Sequence, residues 1–143
     1  MFATDLKRGE KQEYRILDRE RKKYPDAYKM EGYHKEDDIY VPETDIRLEV
    51  KFDEKSIKTG NYAIECEYDG SPSGVVTTTA DFWIIINREI DIWISVWWIN
   101  NVIEQNGYRP VPFTPHGEEK PVKAFLIPVH KLQIIAEYYE IHS

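Results

Sequence analysis

An acidic residue, one spacer and a lysine place a carboxylate beside an ammonium wherever the chain is extended. The pattern occurs here at Asp5/Lys7, Glu20/Lys22, Glu49/Lys51, Asp53/Lys55 and Glu118/Lys120. Strand periodicity singles out one of these copies. Ile46, Leu48, Val50 and Phe52 alternate with Arg47, Glu49, Lys51 and Asp53, the period-2 signature of a half-buried strand. Glu49 and Lys51 then emerge together on the polar face while Val50 points into the core. A carboxylate held this way can ligate a hard cation, and an ammonium beside it can orient a water or neutralise anionic charge. The same two residues are also what a solvent-facing ion pair looks like, so their neighbours decide between the readings.

After the polar connection Glu54 to Gly60, alternation resumes with Tyr62, Ile64, Cys66 and Tyr68 against Ala63, Glu65 and Glu67. The two runs read as an antiparallel pair in which Asp53 lies opposite Asn61, Glu49 faces Glu65 and Arg47 faces Glu67. Two carboxylates directly opposed on a sheet repel, and the arrangement calls for a cation between them or a raised pKa. An oxygen-rich site of this kind suits Mg²⁺ or Mn²⁺. Asp38, which opens a short strand ending at Val41, supplies a further carboxylate. Other chemistries find little support. His34, His116, His130 and His142 show no metal-binding spacing, and the single cysteine, Cys66, excludes an internal disulfide and a thiolate zinc cluster. No GxGxxG, P-loop or GxSxG occurs, so no nucleotide cofactor is expected. Ser71 and Ser73 read as turn residues.

The elements that must position these residues are legible at differing resolution. From a cap at Thr4 or Asp5 to Tyr24 the chain is rich in Glu, Lys, Arg and Gln and free of proline until Pro25, which predicts a first helix with a narrow apolar stripe. Ala27 to Tyr33 and Asp38 to Val41 are strand-compatible around a polar turn at 34–37. Phe82 to Ile86 is almost wholly apolar and suits a central strand. Ile90 to Ile99 is compatible with strand, helix or both, with Ser95 as a helix cap and Gly107 just past the helix end. A polar, proline-rich connection from Pro110 to Pro121 leads to a strand at 122–127, and Pro128 opens a last helix running to Tyr139 or Glu140. The order predicts one mixed α/β or α+β domain, a mixed central sheet flanked by helices.

With the helix, the Asp-bearing strand and the Glu-x-Lys strand in that order, the chain resembles the PD-(D/E)XK nuclease superfamily, whose fold is the restriction-endonuclease-like core. Glu13 in RGEKQE matches the helix glutamate, Asp38 in EDDIYV the aspartate, and Glu49 and Lys51 in LEVK the Glu-x-Lys. Glu10 is an alternative to Glu13, as Asp37 and Asp45 are to Asp38. TGNYAIECEYDGSPSG and TTTADFWIII are also similar to segments of small phage and archaeal-virus members, including resolvase-like nucleases. The resemblance implies that Asp38 and Glu49 hold Mg²⁺ or Mn²⁺, that Lys51 orients the attacking water or neutralises developing charge, that Glu13 acts through a metal-bound water or in substrate selection, and that Glu65 completes the site. The implied reaction is hydrolysis of a DNA phosphodiester, in branched or otherwise structured DNA. Restriction-like or homing-type recognition of a sequence is the alternative within the family.

Bulk properties qualify this picture. The chain has 143 residues, enough for one core, and 41% hydrophobic residues including four Trp and ten Tyr, which excludes disorder. Its formal charge of −7 opposes wholesale coating of nucleic acid. A non-catalytic, acidic module that binds a basic protein partner is therefore the rival from another class. Lys7, Arg8, Lys11, Arg15, Arg19, Arg21, Lys22 and Lys23 crowd the first helix and offer a local basic surface, although charge alone favours a solvated helix with i,i+4 ion pairs. Trp83, Trp93, Trp97 and Trp98 are expected in the core or in a homodimer interface. No apolar stretch approaches a membrane span, and MFATDLKRGE has no signal-peptide core, so an intracellular, cytoplasmic location is expected, inside the host cell for a virus-encoded protein.

Overall fold

The computed structural model describes residues 2–31, 37–114 and 120–142. Tyr33, most of the turn expected at 34–37, His116 and Glu118 lie outside the described residues. The fold is α+β: the described residues form a six-stranded mixed sheet and a four-stranded antiparallel sheet with four helices. Among the described residues no helix is long and apolar enough to cross a membrane.

Helix α1 (Phe2–Lys23) starts ahead of the caps expected at Thr4 or Asp5 and ends as the chain approaches Pro25. Its apolar stripe is as narrow as the sequence implies: Ile16 and Leu17 are buried against one face of the large sheet with Ile39, Val41, Leu48, Ile84, Ile86 and Trp93. That sheet contains β1 (Tyr28–Lys29), β2 (Ile39–Val41), β3 (Ile46–Phe52), β6 (Phe82–Ile86), β7 (Ile90–Ser95) and β10 (Tyr138–Ile141), in the order β1-β2-β3-β6-β7-β10. Only β3 and β6 run parallel. The apolar β6 is central, as its composition demands, and both its faces are covered: Ile84 and Ile86 meet α1 while Trp83 and Ile85 meet the second layer.

The second layer is the small sheet, ordered β5-β4-β9-β8. It comprises β4 (Asn61–Tyr68), β5 (Ser71–Pro72), β8 (Val111–Phe113) and β9 (Val122–Pro128), and it is joined by α3 (Val96–Asn106) and α4 (Val129–Ile135). Tyr62, Ile64, Ile99, Ile127 and Leu132 close this side over Trp83, Ile85, Ile92 and Ile94. The large sheet is thus flanked by a helix on one side and by a sheet with helices on the other.

The expected β3–β4 pairing does not occur. β3 already has β2 on one edge and β6 on the other, and β4 pairs with β9 and β5 instead. Two features redirect the chain. The short helix α2 (Ser56–Thr59) occupies the expected turn and ends at Gly60 with φ +75°, and the buried face of β4 packs onto the Trp83 side of the sheet, opposite to the side that Leu48 faces. Asp53 secures the exit from β3, accepting hydrogen bonds from Ser56 N at 3.2 Å and Ala63 N at 2.9 Å.

At 90–107 the two readings coexist: β7 passes directly into α3, Ser95 Oγ accepts from Trp98 N at 3.1 Å, and Gly107 ends the helix with φ +63°. The last helix is shorter than expected. After α4 the chain becomes extended at Ala136, and residues 138–141 form β10 along the open edge of β7. That edge offers unpaired backbone groups, and Tyr138 packs edge-on to Trp93 at 5.2 Å; a sequence window sees neither.

Candidate functional site

Glu49 and Lys51 emerge from β3 on the face turned toward the small sheet and form an ion pair. Glu49 is mostly buried, its side chain 13% exposed, and Lys51 is 40% exposed. In the parallel ladder Glu49 lies beside Trp83, and the Lys51 ammonium stands 4.8 Å from the centre of an indole ring of Trp83, a cation–π contact that holds the charge close to the sheet.

The segment before β6 seats the acidic groups. Thr78 Oγ1 donates to Glu49 Oε1 at 3.1 Å and itself accepts from Trp83 Nε1 and from Ala80 N, each at 3.2 Å. Thr79 Oγ1 lies 3.0 Å from both oxygens of Asp37. Asp81 accepts from the backbone N–H of Arg47 at 2.8 Å. Sequence reading missed Thr78 and Thr79; the available signal was a hydroxyl-rich run immediately ahead of a buried strand.

Asp38 stands one residue beyond the last β2–β3 pair, Ile39 with Leu48, and so lies across from Glu49. Its Oδ2 accepts the Val50 N–H at 2.7 Å. Asp38 is thereby tied to the backbone of β3 at Val50, between Glu49 and Lys51, where β2 and β3 part. Asp37 next to it is 2% exposed, and Arg47 Nη1 approaches it at 3.8 Å. Asp45 is placed elsewhere: it sits in the β2–β3 turn with φ +54°, accepting the Tyr40 hydroxyl at 2.6 Å. Four residues of extended strand, about 13 Å, separate it from Glu49. Glu13 is half-buried on α1, which covers the opposite face of the sheet, and Glu10 pairs with Lys29 at 3.7 Å.

Glu65 does not face Glu49. Its cross-strand neighbour is Ala124, and Glu67 faces Lys123 across a bulge, with an ion pair of 3.5 Å. Glu65 and Lys51, from the two sheets, nevertheless line the same cavity of about 250 Å³, with Asp53, Ile64 and Trp83. Ser73 Oγ donates to Glu65 Oε2 at 2.9 Å. Burial pushes the Asp53 carboxyl above the ordinary carboxylate range, outweighing the two backbone N–H groups that favour its charged form. The folded state then binds its proton more tightly than the unfolded chain does, so this group's contribution to stability is full below the unfolded pKa and is lost as pH rises through the folded one. Asp53→Asn is expected to remove that decline, measured as the slope of urea-unfolding free energy as pH rises above the ordinary aspartate value; an unchanged slope would refute the assignment.

The resemblance implies a divalent cation, and the donor set can be tested against it. Among the described residues no group of three or more His, Cys, Asp or Glu side chains has metal-holding geometry. Mg²⁺ keeps several waters and takes one or two carboxylates, a requirement that Glu49 on β3 and Asp38, just ahead of β2, meet in donor type and number.

The basic helix is less available than its composition suggests. Arg15 Nη1 lies 2.8 Å from Oδ2 of the fully buried Asp91, off the hydrogen-bonding line, while His142 Nε2 lies 2.9 Å from Oδ1. Arg19 Nη1 pairs with Glu140 at 2.9 Å, and its guanidinium stands 4.4 Å and 4.3 Å from the rings of Trp93 and Tyr138. Both arginines tie α1 to the β7–β10 edge. Arg15→Ala leaves a buried carboxylate with the His142 ring as its remaining side-chain neighbour. It is expected to lower the unfolding free energy at pH 7 by roughly 1–3 kcal/mol. The checks are urea denaturation and the salt dependence of DNA binding: an intact stability with a flattened salt slope would reverse this account.

Of the four tryptophans, Trp83 and Trp93 are buried, whereas Trp97 and Trp98 are 64% and 43% exposed and meet each other edge-on at 4.8 Å. The core expectation holds for the first pair only. Comparison with protein-family models, with curated proteins and with solved structures finds no match to this chain.

Proposed function

We propose that this protein is a divalent-metal-dependent DNA endonuclease whose site is built on Asp38, Glu49 and Lys51. One observation supports the reading: a mostly buried carboxylate and an ammonium pair on one face of β3, with Glu49 held from behind by Thr78 and Asp38 bonded to the Val50 N–H of the same strand. A surface ion pair needs no such support, since exposed pairs contribute little to stability. Mg²⁺ or Mn²⁺ held by Asp38 and Glu49 would supply a lowered pKa for bound water and charge stabilisation at phosphorus.

The chain's own groups have distinct tasks. Glu49 gives one oxygen to Thr78 and faces Lys51 with the other. Lys51, free to swing from Glu49 toward an entering phosphate, neutralises charge that develops on the non-bridging oxygens or orients the attacking water. Trp83 limits where the ammonium can go. Glu65, on the far wall of the cavity, sets the polarity of the space that Lys51 faces. Branched DNA is the proposed substrate, and a homodimer would present two such sites to its two exchanging strands.

The test incubates the folded protein with linear, nicked and four-way DNA in Mg²⁺, Mn²⁺ or EDTA. Cleavage that requires the metal, and is fastest on the four-way substrate, is expected. Equal cutting of linear DNA at one sequence would move the reading to a restriction-like enzyme. The absence of cleavage in every condition would overturn it in favour of the acidic protein-binding module, which the net charge of −7 and the ion-paired Arg15 and Arg19 favour.

A further inference from the structure

We propose that Thr78 is a positioning residue for Glu49, and that it selects Oε2 as the oxygen Glu49 offers to the divalent cation; this rests on the nuclease reading above. The argument begins with the hydroxyl group's capacity. A threonine hydroxyl has one proton and two acceptor positions. Both acceptor positions of Thr78 are occupied, one by Trp83 Nε1 and one by Ala80 N, each at 3.2 Å. The single proton is left for Glu49 Oε1 at 3.1 Å. The hydroxyl therefore has one orientation, as donor to Glu49, and cannot turn to accept a bond from elsewhere without leaving a partner unpaired.

The anchor behind this hydroxyl is rigid. Trp83 is 1% exposed and sits beside Glu49 in the parallel β3–β6 ladder. Its indole N–H fixes the threonine, while its ring carries the Lys51 ammonium. One buried side chain thus positions both members of the Glu49–Lys51 pair, the carboxylate through Thr78 and the ammonium through its ring. Oε1 is committed to a neutral donor on the core side. Oε2 faces an ammonium whose side chain is 40% exposed, and it is the oxygen that a hydrated cation can reach from the open side. Groups that hydrogen-bond to metal-ligating carboxylates orient them, and their loss typically costs about 10–100-fold in metal affinity.

The experiment compares Thr78→Val, which keeps the shape and removes the hydroxyl, with Thr78→Ser, which keeps the hydroxyl. Three measurements are made: thermal unfolding, Mn²⁺ binding by calorimetry, and hydrogen exchange of the Trp83 indole N–H in the metal-free protein. Thr78→Val is expected to raise the Mn²⁺ Kd by about 10–100-fold and to speed exchange at the Trp83 indole, with the protein still folded. Thr78→Ser is expected to restore both. Thr78→Val binding Mn²⁺ as wild type does, or Thr78→Ser failing to rescue, overturns the proposal while the nuclease reading stands. Should the valine variant unfold, Thr78→Ala, which also lacks the hydroxyl, takes its place: a Mn²⁺ Kd equal to wild type overturns the proposal, and a raised one that Thr78→Ser restores upholds it. Wild-type protein that binds no Mn²⁺ and cuts no DNA overturns both.

Discussion

Lys51→Ala is expected to lower the single-turnover rate of DNA cleavage by roughly 10²–10⁴-fold, the usual contribution of a positioned group acting on protons or developing charge. The fold should survive the change, because Lys51 is partly exposed and its partners are one carboxylate and the face of a buried indole. Metal affinity should hold or improve, since Glu49 Oε2 loses a competing cation. Glu49→Ala should abolish cleavage to a similar degree while weakening Mn²⁺ binding, so the two variants separate in their binding even where their rates agree. Lys51→Arg is expected to rescue poorly: a planar fork does not reproduce a compact ammonium over the indole. Single-turnover kinetics with saturating enzyme, alongside Mn²⁺ calorimetry, reads all of these. A Lys51→Ala rate within a few-fold of wild type would remove the lysine from the reaction.

Gly74→Ala should be the most destabilising glycine-to-alanine change among the described residues, at about 3–5 kcal/mol. Gly74 has φ +56°, which already disfavours any L side chain. A Cβ there would also lie 2.1 Å from the carbonyl oxygen of Glu65 and 2.7 Å from its carbonyl carbon. Neither atom can yield, because Glu65 is paired to Ala124 in the small sheet and Val75, next to Gly74, is buried. Gly70 supplies the control. Its φ is +82° but its Cβ would meet open space, so Gly70→Ala should cost only about 1–2 kcal/mol. Urea denaturation of the two variants compares them directly, and equal costs would mean that the backbone at Gly74 can move. The same close approach carries Ser73 to Glu65, so a displaced turn would also disturb the cavity beside Lys51.

The Ser-Gly at 73–74 shows what local reading cannot reach. As a sequence it is a turn between two strands; its partner is a carbonyl on β4, brought there by a hairpin and a short 3-10 turn at Gly74–Val76. Thr78 makes the same point. Nothing in a threonine run identifies its acceptor, and Glu49 becomes its neighbour only because β6 aligns parallel to β3 across a long connection. Strand β4 was misplaced for a related reason: alternation reports that one face is buried but not against what, and a hairpin with β3 and a second sheet packed on β6 satisfy the same pattern.

By itself the sequence determined the α+β class, the phase of β3 that puts Glu49 beside Lys51, the central position of β6, and both ends of α3, because periodicity, apolar runs and capping residues act within a few residues of one another. The tertiary structure decided the rest. It set Asp38 across from Glu49, placed Asp45 in the hairpin turn, moved Glu65 into a different sheet, and engaged Arg15 and Arg19 in ion pairs with Asp91 and Glu140. Each of these depends on which distant strand occupies an edge, and that is settled by burial and backbone pairing summed over the whole domain.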